Sequence, residues 1–496
     1  MESSDRLAHF YGGIALPENK THTRGRPIEQ APIPGRVIIP LNQHIGEPAV
    51  ACVSIGDKVL RGQTIARANG HLSAPTHAST SGRVVDIADY PIAHPSGMDA
   101  SCIVIEADGD DNWVTDNETT RDYRALSADN IRRRIEDAGI VGLGGAVYPT
   151  GAKLAPQPNQ SLHTLVINGA ECEPFISSDD MLMRERASEV IVGARIIAHA
   201  LQLDKCIIGV EDCQQEAIAA LRLAEQELDA TDIDIIEVPS LYPAGGERQL
   251  IKVLLKQEVP EKGLPQDLGV VCHNVGTAAA VYQAICLGKP LTSRIVTVTG
   301  TGCASPRNFE ARIGSSFASL IEAAGGYTGN AKRLIMGGPM MGFAIASDVV
   351  PVVKATNCIL VAGPSDLGQY RPTLPCIRCG ECERVCPAQL LPQQLFWYTR
   401  AQNWEQVEAH HLSACIECGC CSQVCPSHIP LVEYYRFAKS SLRQRNLEKQ
   451  RSDQARDRHQ ARDDRLQREK LERDERMRKK KVAINKQKAN VSEPDS

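Results

Sequence analysis

The stretch CIRCGECERVCP, Cys376 to Pro387, recurs as CIECGCCSQVCP, Cys415 to Pro426. Each run spaces four cysteines by two, two and three residues and closes on a proline. Eight thiols held at such spacing are either oxidised into a disulfide framework or given to metal. The start MESSDRLAHF has no apolar core behind a basic segment, so no secretory leader is expected and the eighteen cysteines should stay reduced. The longest apolar runs, IVTV and VVPVV, are strand-sized, well short of the ~18 residues of a membrane span. A soluble, cytosol-facing chain is the expectation. Its 496 residues suggest roughly three to four domains. The net charge of −5 hides a split: from Ser440 onward 18 Lys/Arg stand against 11 Asp/Glu, about +7, which leaves the body near −12.

C-x2-C-x2-C-x3-C-P resembles the iron–sulfur run of bacterial ferredoxins. Three thiolates on one tight loop can take three corners of a cubane, and the fourth corner comes from elsewhere. In two-cluster ferredoxins the fourth cysteine of each run ligates the other cluster. That resemblance assigns Cys376, Cys379, Cys382 and Cys425 to one [4Fe–4S] centre and Cys415, Cys418, Cys421 and Cys386 to the second. Structural zinc is the bland alternative, but zinc usually takes separated C-x2-C knuckles rather than three cysteines in a row. Cys420 adjoins Cys421 and is read as a non-ligand, because Cys421 keeps the spacing of the first run. Most of the other cysteines sit in apolar segments, where a buried thiol is the default.

Ahead of the cysteines the chain changes rhythm several times. After an N-terminal segment, 1–35, VACVSIGDKVLRGQTIA and APTHASTSGRVVDI alternate short β-branched runs with glycine turns over 36–115. This region resembles the barrel-sandwich domains that carry biotin or lipoate, yet the tip RANGHLSAP holds no lysine. The resemblance implies the fold without the prosthetic group, and a docking role. Over 120–290, strands such as TLVING, KCIIGVED and IDIIEVP alternate with helical SEVIVGARIIAHALQL and QQEAIAALRLAEQEL. That βαβ order predicts a mostly parallel, Rossmann-like sheet. A small β-grasp module is expected at 291–350. GPSDLGQYRPTLP reads as a linker into an α-helical two-cluster region, 365–440, where QQLFWYTRAQNWEQVEAHHLSA is helical between the motifs. The tail, 441–496, reads as a solvated charged helix or as disorder, its i,i+4 pairs Glu469–Arg473, Glu472–Arg476 and Glu475–Lys479 favouring the helix. Contact with anionic lipid or nucleic acid is the alternative for this basic tail. The fold class is therefore multidomain α/β.

GLGGAVYPTGAK, Gly142 to Lys153, lets backbone amides converge on an anion beside a lysine. It is neither a P-loop nor a dinucleotide fingerprint. By composition a tight surface turn is the competing reading. Its companions, in order, are NGAECEP at 168–174, YPAGGERQL at 242–250 and HNVGTAAA at 273–280. The series resembles the flavoprotein subunit of respiratory complex I. The resemblance implies FMN binding at Gly142, Gly144, Lys153, Asn168, Gly245, Glu247, Asn274 and Thr277, with Glu171 and Glu173 facing NAD(H) as substrate. Ala170 and Gly246 stand where that family has acids, and GAVYPTG replaces its GAGFPTG.

With FYGGIALPENK and PLNQHIGEPAVACVSIGDKVLRGQ added, the order of parts over residues 7–440 resembles the C subunit family of the Rnf (Rsx) ion-translocating electron-transport complex. What that implies is a peripheral subunit on the cytoplasmic face of the bacterial inner membrane. It would pass electrons between NAD(H), FMN and two [4Fe–4S] clusters, to or from a low-potential carrier such as ferredoxin. Nicotinamides move two electrons, clusters one, and flavin joins the two. The implied partners are integral-membrane and iron–sulfur subunits of the same complex. Some relatives of that family keep a redox-sensing transcription factor reduced. Two other classes stay open. One is a flavin-free relay, which would keep iron without flavin. The other is a nucleic-acid-binding protein with structural clusters, which would bind DNA or RNA in a salt-sensitive way through 441–496. No nucleic acid is expected, because basic and aromatic residues do not interleave.

Overall fold

The computed structural model describes residues 9–70, 72–115, 119–120, 122–155, 161–367 and 371–490, with side chains to 486. His71 of the hairpin tip, linker residues 368–370 and the outer ends of the N-terminal segment and tail lie outside the described residues. The chain divides into two compact units, residues 1–394 with 413–432, and residues 395–412 with 433–496.

In the first unit, the glycine-punctuated N-terminal region forms two small antiparallel sheets. One orders Arg36–Pro40, Asp99–Ala107, Gly82–Pro91 and Lys58–Val59; the other orders Val50–Ala51, Thr64–Arg67 and Thr76–His77. Val37, Ile39, Ile65, Val84, Ile103 and Ile105 fill the space between them, as the period-two side-chain alternation of strands requires.

The βαβ region builds a four-stranded parallel sheet in the order Ile233–Val238, Cys206–Glu211, Thr164–Gly169, Val270–Asn274. Strand alternation splits its core in two. Leu165 and Ile167 pack with Ile208 and with Val190, Ile191 and Val281 of the helices Ala187–Leu201 and Val275–Leu287. Val166 and Val270 pack on the other face with Leu250 and Ile251 of the helix Glu247–Leu255. The two strands after Thr164–Gly169 are laid down on one side of it, and Val270–Asn274 returns on the other. Such a reversal opens a crevice at the carboxyl ends of the strands, where open α/β sheets bind ligands.

The sheet of the stretch expected as a β-grasp module, 291–350, also takes in strands outside those bounds. Its order is Glu29–Gln30, Arg307–Arg312, Ser293–Thr299, Cys358–Ala362, Arg333–Met336, Phe343–Ile345. Cys358–Ala362 is buried at all five positions because it lies between two other strands. Glu29–Gln30, a two-residue edge strand, has no pattern by which a sequence could announce it.

From residue 9 the N-terminal segment is a strap across these modules. Phe10 enters the flavin-domain core beside Leu250. Gly13 N–H donates to Val385 O at 3.0 Å, and Ile14 forms an antiparallel bridge with Tyr242. Phe175 N–H donates to Glu18 O at 2.8 Å before the chain reaches the β-grasp edge.

In the second unit, helices Pro392–Arg400 and Trp404–Ala409 occupy the stretch expected to be helical. Phe396 meets Tyr434 edge-on at 4.8 Å. Of the two states open for the tail, the structure has the helix: Leu431–Asn490 is continuous over 60 residues. Glu472 reaches Arg476 at 4.0 Å, and Glu469 reaches Arg465 at 3.9 Å. These exposed pairs contribute a few tenths of a kcal/mol each.

Candidate redox site

Asn168 and Asn274 are register partners at the carboxyl ends of the two strands that flank the crevice. Asn168 Nδ2 donates to Gly245 O at 2.8 Å and its Oδ1 accepts Ala170 N–H at 3.0 Å, so it fixes both the NGAECEP turn and the YPAGG turn. Asn274 caps the helix Val275–Leu287, accepting Gly276 N–H at 2.8 Å. Thr277 Oγ1 accepts Leu143 N–H at 2.9 Å and so holds the glycine-rich loop against that helix end. A Cβ on Gly144 would stand 3.2 Å from Asn274 Cβ, whereas one on Gly145 would meet nothing within 4 Å. The loop thus packs tightly underneath and is open above.

Lys153, at the end of the short helix Thr150–Lys153, donates to Glu247 Oε1 at 2.8 Å and to Cys272 O at 2.6 Å. The sequence-predicted set Gly142, Gly144, Lys153, Asn168, Gly245, Glu247, Asn274 and Thr277 therefore lies along one sheet edge. Hydrogen bonds join these residues to one another around the carboxyl ends of the two strands, with the N-terminus of the helix Val275–Leu287 and one cation among them, the kinds of group a flavin phosphate takes.

Glu171 and Glu173 are taken up by the protein itself. Glu171 accepts Ser178 Oγ–H at 3.0 Å and the N–H groups of Asp179 and Asp180 at 2.9 and 3.1 Å, capping the helix Ser178–Glu185. Glu173 Oε1 accepts Met340 and Met341 N–H at 2.7 and 3.0 Å and so ties down a β-grasp loop.

Two further groups border the site without any motif to announce them. Arg294 is buried and its guanidinium reaches the Lys354 and Leu143 carbonyls, the latter in the glycine-rich loop. Asp179 accepts Asn274 Nδ2–H at 2.6 Å. Burial, then the Glu171 carboxylate, raises its pKa to about 7, against the lowering influence of Asn274, Arg294 and Lys20. Glu211, ending a neighbouring strand, is raised to about 7 mainly by burial.

In the unfolded chain both carboxyls release their protons near pH 4. Between pH 4 and 7 the folded state holds the extra protons, so these groups make stability fall as pH rises. Asp179→Asn should raise stability at pH 8 relative to pH 5, against the wild type, by on the order of 1–3 kcal/mol. Denaturant unfolding at the two pH values measures it; an unchanged difference would refute the assignment.

The cysteine runs fold as two copies offset by 39 residues. Arg378 and Glu417 are left-handed at φ 59° and 58°, Gly380 and Gly419 at 82° and 83°, and Gln389 and His428 at 52° and 51°. Each glycine starts a one-turn helix, Glu381–Arg384 or Cys420–Gln423. Gln389 N–H donates to Cys386 O and His428 N–H to Cys425 O, both at 3.0 Å.

The ends of the runs cross. Leu374 N–H donates to Ser427 O at 2.9 Å, and Ser427 Oγ–H to Pro375 O at 2.9 Å. Cys382 has its pKa raised to about 11 by burial, then by the neighbouring Cys379 and Cys425. Cys421 is pushed up by burial, then by Cys415, Cys418, Cys386 and Cys382. Cys386 is raised by burial first, against the lowering influence of the Leu390 and Ala388 backbone, and only then by Cys418. The two cysteine runs offer thiols, the soft chemistry an iron–sulfur cubane takes. Cys420 is buried against Tyr242 and Cys418.

One of these thiol groups adjoins the flavin-domain edge. Tyr242 O–H donates to Cys418 O at 2.6 Å, Gly13 N–H to Val385 O beside Cys386, and Met340 O lies 3.1 Å from where a Gly419 Cβ would be. Cys379 is exposed.

Four family models match the chain: the RnfC barrel sandwich hybrid domain over 8–110, the Nuo51 FMN-binding domain over 135–283, the SLBB domain over 295–344 and the 4Fe-4S dicluster domain over 375–429. The first takes in most of the N-terminal segment set apart at 1–35. A Pseudomonas aeruginosa protein named as the C subunit of an ion-translocating oxidoreductase complex is 50% identical over 452 residues, covering 91% of this chain and 58% of its own length. Proteins of the same name from Salmonella choleraesuis and Salmonella gallinarum are each 45% identical over 92% of this chain, which spans 64% and 67% of them. The chain thus spans about three-fifths to two-thirds of the length of these relatives. A crystal structure of an NAD+-reducing [NiFe]-hydrogenase in the H2-reduced state aligns at 18% identity with TM-score 0.45, over 64% of this chain and 61% of that one. With FMN-binding and 4Fe-4S dicluster domains following an RnfC-type barrel sandwich, and with this identity along nine-tenths of its length, the chain belongs to the RnfC family, the C subunits of ion-translocating oxidoreductase complexes.

Proposed function

We propose that this chain is the peripheral electron-transfer subunit of a membrane-bound ion-translocating oxidoreductase, working between NAD(H) and a low-potential carrier such as ferredoxin. Bound FMN supplies the exchange between two-electron nicotinamide chemistry and one-electron cluster chemistry. The chain's own residues do the rest. Gly142, Gly144, Asn274 and Thr277 shape the anion cradle, Lys153 and Glu247 set its charge, and Asn168 locks Gly245 beside it. Glu171 and Glu173 shape the nucleotide side by fixing the helix Ser178–Glu185 and the Met340 loop, and so act as positioning residues.

The observation that carries the reading is the Tyr242–Cys418 hydrogen bond, which joins the turn containing Gly245 to the second cysteine run. It supports reading Cys386, Cys415, Cys418 and Cys421 as the proximal cluster set. Cys376, Cys379, Cys382 and Cys425 form the distal one, with Cys379 at the surface where a partner's redox centre can approach. Among the described residues no helix is long and apolar enough to cross a membrane, so ion movement belongs to partner subunits in this reading.

Anaerobic reconstitution with iron, sulfide and FMN followed by NADH titration tests it. Bleaching of flavin absorption together with reduced-cluster EPR signals is the expected result. Clusters that dithionite reduces but NADH does not, with no flavin retained, would leave only an iron–sulfur relay.

A further inference from the structure

Tyr242 lies three residues before Gly245, inside the segment that resembles a flavin-site motif, yet its side chain points away to the cysteine region. It is 3% exposed, and its hydroxyl reaches a carbonyl 176 residues further along the chain. Both of its backbone polar groups are used as well. Tyr242 N–H donates to Ile14 O at 3.1 Å, and Tyr242 O accepts Ile14 N–H at 2.8 Å. At its other end the turn is locked: Gly245 N–H donates to Cys172 Sγ at 3.3 Å, and Gly245 O accepts from Asn168. A continuous series of bonds thus runs from Asn168 through Gly245 and the Tyr242 ring to the Cys418 peptide. Ile14, Leu16, Val385, Ile416 and Met340 pack around it.

We infer that Tyr242 is a positioning residue for electron entry into the proximal cluster. Its hydroxyl holds the Cys418 loop at a fixed separation and orientation from the flavin-domain edge, and its dipole sits beside a cluster ligand. The inference rests on the flavin reading above. In the step it would serve, a bound reduced flavin would give one electron and an oxidised cluster would take one, while the tyrosine keeps its proton and is neither oxidised nor reduced. The geometry explains why a buried tyrosine stands here, where a phenylalanine would fill the same space without a polar atom. A phenylalanine would leave the Cys418 carbonyl without this donor, in a site with little water to replace it.

The test uses the full chain, reconstituted anaerobically with iron, sulfide and FMN, as wild type, Tyr242→Phe and, as a control, Tyr327→Phe. Tyr327 lies in the β-grasp module, half exposed, with its hydroxyl on Asp348. Bound flavin is photoreduced with EDTA and light, and cluster reduction is followed by absorbance and freeze-quench EPR. Tyr242→Phe should keep wild-type iron and flavin, shift the EPR signal of one cluster only, and slow cluster reduction at least about fivefold. Tyr327→Phe should match the wild type. A Tyr242→Phe protein with unchanged EPR and a rate within twofold of wild type overturns the inference and leaves the functional reading standing. If the wild type itself passes no electrons from photoreduced flavin to either cluster, the functional reading fails instead. Should Tyr242→Phe lose iron, 3-fluorotyrosine at position 242 decides. It keeps the ring and hydroxyl but makes a stronger donor, so it must shift the same cluster's EPR signal; an unshifted signal at full iron overturns the inference.

Discussion

A Cys386→Ser variant will lose the cluster of the other cysteine run, not that of its own. Cys386 ends the first run, but its thiol is influenced by Cys418, and it acts on Cys421 ahead of Cys382, the other first-run thiol that does so. Cys425 ends the second run and acts on Cys382. With about eight irons in the reconstituted wild type, Cys386→Ser should retain about four, held by Cys376, Cys379, Cys382 and Cys425. Its reduced EPR spectrum should match that of Cys415→Ser and differ from that of Cys376→Ser. Dithionite should still reduce the remaining cluster, whereas NADH should do so far more slowly, because the centre adjoining Tyr242 is gone. A Cys386→Ser spectrum that matches Cys376→Ser would mean that each run binds its own cluster, and the order of centres proposed above would fall with it.

Much of this architecture was legible in the sequence because its signals are local. The parallel strands of the flavin domain read as short apolar runs, and their helices as longer periodic ones. Asn168 and Asn274 stand in segments that a motif comparison selects. The cysteine spacing carries its chemistry in twelve residues. What was not legible depends on groups far apart in the chain. Tyr242 stands within YPAGGERQL with nothing local to give its side chain a role, because its partner is Cys418. For Glu171 and Glu173 a solvated loop or a helix cap is the alternative to facing a nucleotide, and only the folded chain reveals which N–H groups, those of Asp179, Asp180, Met340 and Met341, close on them.

Buried cations form a second class that sequence misses, since Lys and Arg are almost never fully buried unless paired. Arg294 lies under the glycine-rich loop. Lys354 is 1% exposed and donates to Gly139 O at 2.7 Å and Pro75 O at 3.0 Å, and its backbone N–H donates to Gln43. One side chain thereby links the β-grasp, flavin and barrel-sandwich modules. Burial alone brings its pKa down to about 7. Neither residue has a spacing or a neighbour in sequence that separates it from a surface cation. The same holds for the N-terminal strap, whose glycines have no spacing that announces their contact with the cysteine region.

Those glycines supply the second large effect. Gly12 is left-handed at φ +74°, and a Cβ there would stand 2.8 Å from both Val385 C and Val385 O and 2.9 Å from Cys386 C. All three are backbone atoms in the loop that carries a cluster ligand, so no side-chain rotation can relieve the overlap. Gly12→Ala must either lift the strap, breaking the Gly13–Val385 hydrogen bond, or push the Cys386 peptide away from the proximal cluster. Gly56→Ala provides the comparison: its φ is +98°, but a Cβ there meets nothing within 4 Å. It should therefore cost only the roughly 1–2 kcal/mol of left-handed backbone. Gly12→Ala should exceed that by on the order of 1–3 kcal/mol, the cost of overpacking where neighbours cannot yield. The discriminating readout is iron release to a chelator under anaerobic conditions. In Gly12→Ala about half of the iron should leave first, at least about tenfold faster than in wild type, and the EPR signal lost should be the one absent from Cys386→Ser. Equal rates of iron loss in Gly12→Ala and Gly56→Ala would show that the strap is a passive covering and not part of what holds the cluster in place.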